Sequence, residues 1–274
     1  NNMSRIVALL TVYQNDNLTA FQAALESLYG QSLKGFDIFV QEDGPIDEQI
    51  HTYLTNEVAC QRIAFLGVRD KNKGFDYSLN ELIERAMLFK YDYMARMDAD
   101  DIAMPNRLEK QLDFMASHPK VDVCGTFIKE FGEDIDYAKV VRYPLEHSAM
   151  LHFFQKRVPI AHVSAFFRRD YFDKAGLYET QGHWNNGDTL MWMKGFASNC
   201  QFANIDYVGV KVRVNRGFFG RRGGFKKAWA DFKNRLTVNR TLRFGPIAYG
   251  YACASFVVNL LPPALKKYAY KYLR

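Results

Sequence analysis

Three aspartates within four residues, Asp98, Asp100 and Asp101, end the stretch 91–101, and Pro105-Asn106-Arg107-Leu108 follows almost at once. The apolar run before them, broken only by Arg96, reads as a buried strand. Several carboxylates at the end of one strand repel each other unless a cation joins them. Hard oxygen donors at this spacing suit Mg2+ or Mn2+, which take one or two protein carboxylates and complete their shell with phosphate and water. A metal-bridged diphosphate is the chemistry such a cluster could serve. The same residues also read as a solvated turn and a helix cap, because Pro105 sits where a helix would begin; spacing alone leaves both readings open.

The elements that would position this cluster alternate in type. An apolar strand at 6–12 precedes a helix at 18–29 with Leu18, Phe21, Leu25 and Leu28 on one face. A strand at 36–40, a helix at 46–58, a strand at 62–68 and a helix at 77–89 lead to the acidic strand. This βαβαβαβ order predicts an α/β fold with a mostly parallel central sheet flanked by helices, whose ligands bind at the carboxyl ends of the strands. The loops 13–17, 42–45, 69–74 and 98–101 would then converge. Neither GxGxxG nor GxxxxGK[ST] follows the first strand, which disfavours a dinucleotide fold and a P-loop.

The chain has 274 residues, 48% hydrophobic and 24% charged, which excludes a disordered protein and allows one large domain or one and a half. Cys60, Cys124, Cys200 and Cys253 lie far apart with no CxxC spacing, so neither zinc nor disulfides are indicated. A reducing, cytosolic setting is the expectation. The net charge of +6 is unevenly spread: 15 of the 36 Lys and Arg, but only Asp231 of the 30 acidic residues, fall within 211–274. A segment that basic suits an anionic partner.

The ordered set Leu10 to Asn15, Gln41-Glu42-Asp43-Gly44, Asn72-Lys73-Gly74 and Arg96-Met97-Asp98-Ala99-Asp100-Asp101 with Pro105 to Leu108 resembles the family-2 inverting glycosyltransferases of GT-A fold. The likeness is greatest to bacterial enzymes that build lipopolysaccharide and capsule glycans, and it covers roughly residues 4–215. It implies a Rossmann-like GT-A catalytic domain over 1–215, with a nucleotide-binding half at about 4–118 and an acceptor half at about 119–215. The resemblance implies that Tyr13 and Asp43 hold the uracil or thymine base and that Asn72 and Gly74 belong to the loop beside base and ribose. Arg96 and Asp98 lie on the nucleotide side. By the same resemblance Asp98 would lie near ribose and metal-bound water, and Asp100 would be the direct ligand of Mn2+ or Mg2+. Asp101 is either a third member of this group or the cap of a helix at Pro105.

In the second half, a strand at 121–131, an acidic hairpin around 132–137, a return at 138–143 and a helix at 146–155 precede the stretch 159–168. His162 in that stretch is either an acceptor or phosphate contact or a buried, hydrogen-bonded histidine. Family members then carry a Glu-Asp pair opening a helix, with Leu-Trp soon after, and its aspartate is the catalytic base. The matching stretch, 185–192, keeps Asp188 and Trp192 but has Gly187 where the glutamate would stand. Asp188 is therefore the expected base, and Trp192 is assigned to the acceptor side. One or two strands at 202–214 lead to a Gly- and Arg-rich loop, in which Arg213, Arg216 or Arg221 could meet the diphosphate as a lid closes.

Residues 216–274 form a C-terminal helical extension, with a helix at 225–242 of basic face and an apolar helix at 246–261 stopped by Pro262-Pro263. The apolar segment is shorter than the ~20 residues needed to span a bilayer. Lys266, Lys267, Lys271 and Arg274 among Tyr268, Tyr270 and Tyr272 suit a membrane interface. The extension reads as a peripheral anchor on the anionic inner face of the cell membrane, or as a hairpin packed on the domain, or as a homodimer interface. Nucleic acid is disfavoured because no reading module accompanies the charge. The resulting expectation is a metal-dependent enzyme moving a sugar from a UDP- or dTDP-sugar to a glycan acceptor, lipid-linked and on the cytoplasmic side. A non-catalytic module binding nucleotide sugar or membrane is the alternative that Gly187 and the basic tail raise.

Overall fold

The computed structural model describes residues 4–132, 139–180, 187–214 and 225–261. Nine strands form one sheet: β1 (Ile6–Val12), β2 (Asp37–Glu42), β3 (Phe65–Gly67), β4 (Tyr93–Arg96), β5 (Ile102–Ala103), β6 (Val123–Phe131), β7 (Val140–Val141), β8 (Phe166–Arg168) and β9 (Phe202–Arg213). Their spatial order is β3-β2-β1-β4-β8-β6-β9-β5, with β7 beside β6. The first four strands in that order are parallel, β8 runs against both neighbours, and β6 and β9 are parallel to each other. The described helices are α1 (Leu18–Tyr29), α2 (Glu48–Ala59), α3 (Phe75–Leu88), α4 (Arg107–Ser117), α5 (His147–Phe154), α6 (Asp170–Ala175), α7 (Gly187–Ala197), α8 (Phe225–Thr241) and α9 (Pro246–Leu260).

The sequence of β1 explains the layering. Successive side chains of a strand point to opposite faces. Ile6, Ala8, Leu10 and Val12 therefore join one core with Phe21, Leu25 and Leu28 of α1, Ile50 and Leu54 of α2, and Leu108 and Met115 of α4. Val7 and Leu9 join the other core, with Leu79, Leu82 and Ile83 of α3, Phe154, Tyr171, Met191 and Trp192. A strand buried on both faces has to be apolar throughout, as IVALLTV is. Local signals set the helix starts: Asn17 accepts a hydrogen bond from Ala20 N (3.1 Å) and Asp47 one from Gln49 N (2.8 Å).

The acidic segment departs from the expected path. Between the aspartates and Pro105 the chain makes β5, which pairs antiparallel with β9 (Ile102 opposite Lys211, Ala103 opposite Val210), and the helix expected at Pro105 begins at Arg107, with Asn106 at its N-cap position. Ser27 Oγ accepts from Ala103 N (3.0 Å) and Gly209 O from Met104 N (2.8 Å), which satisfies backbone that a helix at this point would have used. Asp101 therefore caps nothing. The expected hairpin at 132–137 falls almost entirely outside the described residues, although β6 and β7 do pair antiparallel. The expected strand region at 202–214 is a single strand, β9, whose pairing with β6 is irregular around Phe127.

The C-terminal helices form a pair. α8 reaches the second core through Val238, and Arg235 donates to Phe154 O (2.7 Å) and Lys156 O (3.3 Å). Phe225, Trp229 and Phe232 of α8 meet Phe256 of α9. Among the described residues no helix is long and apolar enough to cross a membrane.

Candidate active site

The carboxyl ends of β1 and β2 are held level, with Val12 opposite Glu42 and Asp43 N donating to Val12 O (2.8 Å). Asp43, just past β2 and buried, is the carboxylate on which the next loop is built. It accepts from Arg69 Nη1 (2.9 Å), Lys73 N (2.8 Å) and Gly74 N (3.0 Å), while Asn72 Nδ2 donates to its carbonyl oxygen (3.0 Å). Gly44, at φ 83°, permits the approach: a Cβ there would lie 2.4 Å from Asn72 N. Arg69 also reaches Ser78 Oγ (2.9 Å) and Glu81 Oε2 (2.7 Å), tying the loop to α3. Tyr13 stands partly exposed at the end of β1, its backbone N–H bonded to Asp16 Oδ2 (2.9 Å).

The aspartate cluster surrounds a shortage of positive charge. Arg96 is buried; one nitrogen pairs with Asp98 Oδ1 at 2.5 Å, its guanidinium lies 4.8 Å from the Phe75 ring centre, and its Nε and Nη1 have no hydrogen-bond partner. Asp101 is buried as well. Its Oδ1 accepts from Arg213 N (2.8 Å) and its Oδ2 has no partner, while Arg213 Nε donates to the carbonyl of Asp100 (3.0 Å). Burial, and then Asp98, holds the Asp100 carboxyl above the ordinary carboxylate range; burial, Asp98 and Asp100 push Asp101 well above it. Among the described residues no three His, Cys, Asp or Glu side chains form a ready-made metal cage. The donor set still fits a hard cation that takes most of its shell from a ligand and water: oxygen donors only, mutually repelling, one of them buried and unpartnered.

Arg107 fixes the backbone beneath this cluster. It is fully buried, and donates from Nη2 to Arg96 O (2.7 Å), from Nη1 to Met97 Sδ (3.2 Å) and from Nε to Gln111 Oε1 (3.0 Å). Gln111 continues to Ser164 O (2.8 Å). Burial, with Arg96 nearby, lowers the Arg107 guanidinium to about 9, so it still carries its charge at neutral pH.

Across the cleft, Asp188 lies in the first turn of α7 and accepts from Thr189 N (2.7 Å). A carboxylate at a helix N-terminus is favoured in its ionised form. Asp76, in the first turn of α3, is pushed up to about 7 by burial and then by Asp188, against a smaller opposing effect of Arg96. His162 Nε2 is 2.7 Å from Tyr178 Oη, and its ring meets those of Phe75, Tyr178 and Trp192. Burial, and then Arg96, keeps this imidazole well below its ordinary pKa, hence neutral.

Residues 9–176 match the family described as "Glycosyl transferase family 2". The amylovoran biosynthesis glycosyltransferase AmsE of Erwinia amylovora is 30% identical over 232 residues, which cover 85% of this chain and 83% of that protein. The chain belongs to glycosyltransferase family 2. Another similar protein is the Escherichia coli UDP-Gal:alpha-D-GlcNAc-diphosphoundecaprenol beta-1,3-galactosyltransferase, 26% identical over 271 residues (96% of this chain, 94% of that one). Among solved structures, S. aureus TarS 1-349 in complex with UDP-GlcNAc superposes with a TM-score of 0.61 at 15% identity, covering 94% of this chain and 82% of that one. The mannosyltransferase PcManGT from Pyrobaculum calidifontis, in complex with GDP-Man and Mn2+, gives 0.63 at 14% identity, covering 98% and 79%. These structures establish the GT-A fold.

Within this glycosyltransferase, Tyr13, Asp43, Asn72, Gly74, Arg96, Asp98 and Asp100 all stand at the carboxyl ends of the parallel strands or on the loops that follow, and Arg213 reaches the last of these from β9. Arg216 and Arg221 lie outside the described residues. Trp192 requires a correction: it is fully buried, stacked on Phe167 (5.7 Å between centroids), and it meets His162 edge-on, so its ring is part of the core and offers no surface to an acceptor. Sequence reasoning missed Arg69, Asp76, Arg107 and Tyr178. Arg107 stood within the quoted motif without a role, and only its burial reveals one. Replacing Arg107 with Ala is expected to lower the unfolding free energy by roughly 3 kcal/mol or more, since it strips three acceptors of their donor and leaves a cavity. Urea denaturation checks this; a loss below ~1 kcal/mol would remove Arg107 from its structural role.

Proposed function

We propose that this glycosyltransferase moves a sugar, with inversion, from a UDP- or dTDP-sugar to a hydroxyl of a lipid-linked glycan acceptor in bacterial surface polysaccharide synthesis. One observation carries the reading. Asp98 pairs with Arg96, Arg96 and Asp188 act on the same carboxyl of Asp76, and so the donor-side aspartates and the candidate base belong to one continuous electrostatic site. Tyr13 and the loop built on Asp43 would receive the base and ribose, with Gly74, at φ 102°, leaving room for close approach. Asp100, assisted by Asp98, would hold a Mn2+ or Mg2+ ion. Such an ion, when bound, neutralises the diphosphate and the charge that grows on it as the bond breaks.

The remaining chemistry belongs to the chain. The acceptor oxygen attacks the anomeric carbon opposite the diphosphate, its proton passes to Asp188, and the electron pair of the broken C–O bond leaves on the nucleotide. Neutral His162, fixed by Tyr178, can accept or donate one hydrogen bond to the acceptor but cannot act as a cation toward phosphate. The names of similar proteins support the setting, since one makes amylovoran and one acts on a diphosphoundecaprenol-linked sugar.

A peripheral membrane position is supported by the C-terminal helices. Phe225, Trp229, Ile247 (71% exposed), Val257 (58%) and Leu260 present apolar side chains to solvent next to a strongly basic chain segment. That combination favours an anionic inner leaflet, on the cytoplasmic face, over a purely structural hairpin.

Titration calorimetry with UDP, dTDP and GDP, each with and without Mn2+, tests the donor side. Micromolar binding of UDP or dTDP that needs the metal and drops at least tenfold in Asp100→Ala is expected; metal-independent binding, or a preference for GDP, would overturn the assignment. Asp188→Asn is expected to keep nucleotide affinity within about twofold and to lose transfer by two or more orders of magnitude, the usual size of a general-base contribution. Flotation with vesicles containing anionic phospholipid checks the anchor. Ile247→Asp/Val257→Asp should abolish flotation without changing UDP affinity, and unchanged flotation, or loss of a dimer in its place, would point to the dimer interface.

A further inference from the structure

Gly187 leaves a gap in the catalytic wall, and another element fills it. An ideal Cβ on Gly187 would lie 2.2 Å from Oδ1 and 2.3 Å from Oδ2 of Asp76, so no residue with a side chain fits while Asp76 holds this position. Gly187 itself is buried, in the first turn of α7 next to Asp188. The carboxylate of α3 thus occupies the space where the first residue of a Glu-Asp pair on α7 would begin. The bare backbone at 187 and the carboxylate of Asp76 fit each other sterically.

We propose that Asp76 is a positioning residue for the transfer reaction, delivering from α3 the second carboxylate that α7 lacks, and that it sets the orientation and basicity of Asp188. The inference rests on Asp188 being the base. The charged and titratable groups facing Asp76 are Asp188 of α7, Arg96 of β4 and the Tyr178 hydroxyl after α6, and Arg235 of α8 acts on Asp188. Two carboxyls in partly dry surroundings do not ionise together easily, and it is Asp76 that burial and Asp188 raise to about 7. As a pair of like charges, they also make Asp188 a better proton acceptor once both are ionised.

The test is a reciprocal swap, read with a panel of UDP-glucose, UDP-galactose and UDP-N-acetylglucosamine, following donor hydrolysis where no acceptor is used. Asp76→Asn should lower kcat at least tenfold, with the donor KM changed less than threefold, and should remove an inflection near pH 7 from the rate profile. Gly187→Glu alone should be as damaging, because it drives into Asp76. The double variant Asp76→Ala/Gly187→Glu should recover at least tenfold over Asp76→Ala. Wild-type kcat in Asp76→Asn, or a double variant no better than Asp76→Ala, would overturn the proposal. Asp188→Asn, run alongside, separates the two failures: full turnover there sinks the choice of base, whereas loss there with none in Asp76→Asn sinks only the role of Asp76.

Thermal melting gives a reading that needs no turnover. The native state keeps a proton on Asp76 up to about 7, while the unfolded chain releases it near 3.8. Wild-type stability therefore falls as pH rises through that window. Asp76→Asn should melt higher than wild type at pH 8 and the gap should close toward pH 5; parallel curves would show that Asp76 does not sit in this charge environment.

Discussion

A buried guanidinium short of partners governs this molecule. Arg96 ends β4 with its side chain under the aspartates, bonded to Asp98 alone among side-chain partners and stacked on Phe75, and two of its nitrogens are unpartnered. A buried charge left this way costs free energy unless its surroundings are rigid and of opposite sign. Both conditions are met. Asp98, Asp100, Asp101 and Asp76 supply the sign, and Arg107 supplies the rigidity by bonding the carbonyl of Arg96 from α4. Remove Arg96 and four carboxyls would repel across one cleft. Keep it and these carboxyls share one buried positive charge.

The same electrostatics divides the site by function. Around Arg96, carboxyls that raise one another remain partly exposed or unpartnered, which is unfavourable in the protein as it stands and would be relieved by a hard cation. At Asp76 the surplus is met by a proton, because burial and then Asp188 raise this carboxyl more than Arg96 lowers it. Strain of this kind is expected where binding or catalysis, not stability, determines residue choice.

The fold was legible where local physics decides it. The strand at 6–12 and the helix at 18–29 match their structural bounds, since one is an unbroken apolar run and the other starts at a capping Asn17 and shows a clear apolar face. β5 and β8, of two and three residues, are too short to carry a period, and each exists only because a partner strand lies alongside. In the candidate site, the aspartate cluster could be read because its residues are neighbours in sequence. Asp76 could not be read, because in sequence it is an ordinary acid in a first helical turn and its meaning comes from Gly187, more than a hundred residues away. Trp192 was assigned from its place four residues after Asp188, a spacing that puts both on one side of α7, but burial is not legible from spacing: the ring is fully enclosed and stacked on Phe167.

The C-terminal helices belong to this argument as well. Arg235 of α8 is lowered to about 10 by burial, with Asp188 and Asp231 acting in the opposite direction, and it holds the end of α5 through Phe154 O and Lys156 O. Its positive charge therefore acts on the candidate base, as that of Arg96 acts on Asp76. A helix whose outer face carries Phe225 and Trp229 and whose inner face bears on Asp188 cannot shift without changing the field at the base. The described part of the C-terminal extension thus contributes, through the half-buried Arg235, to the electrostatics around Asp188, even though its sequence marks it as an appendage.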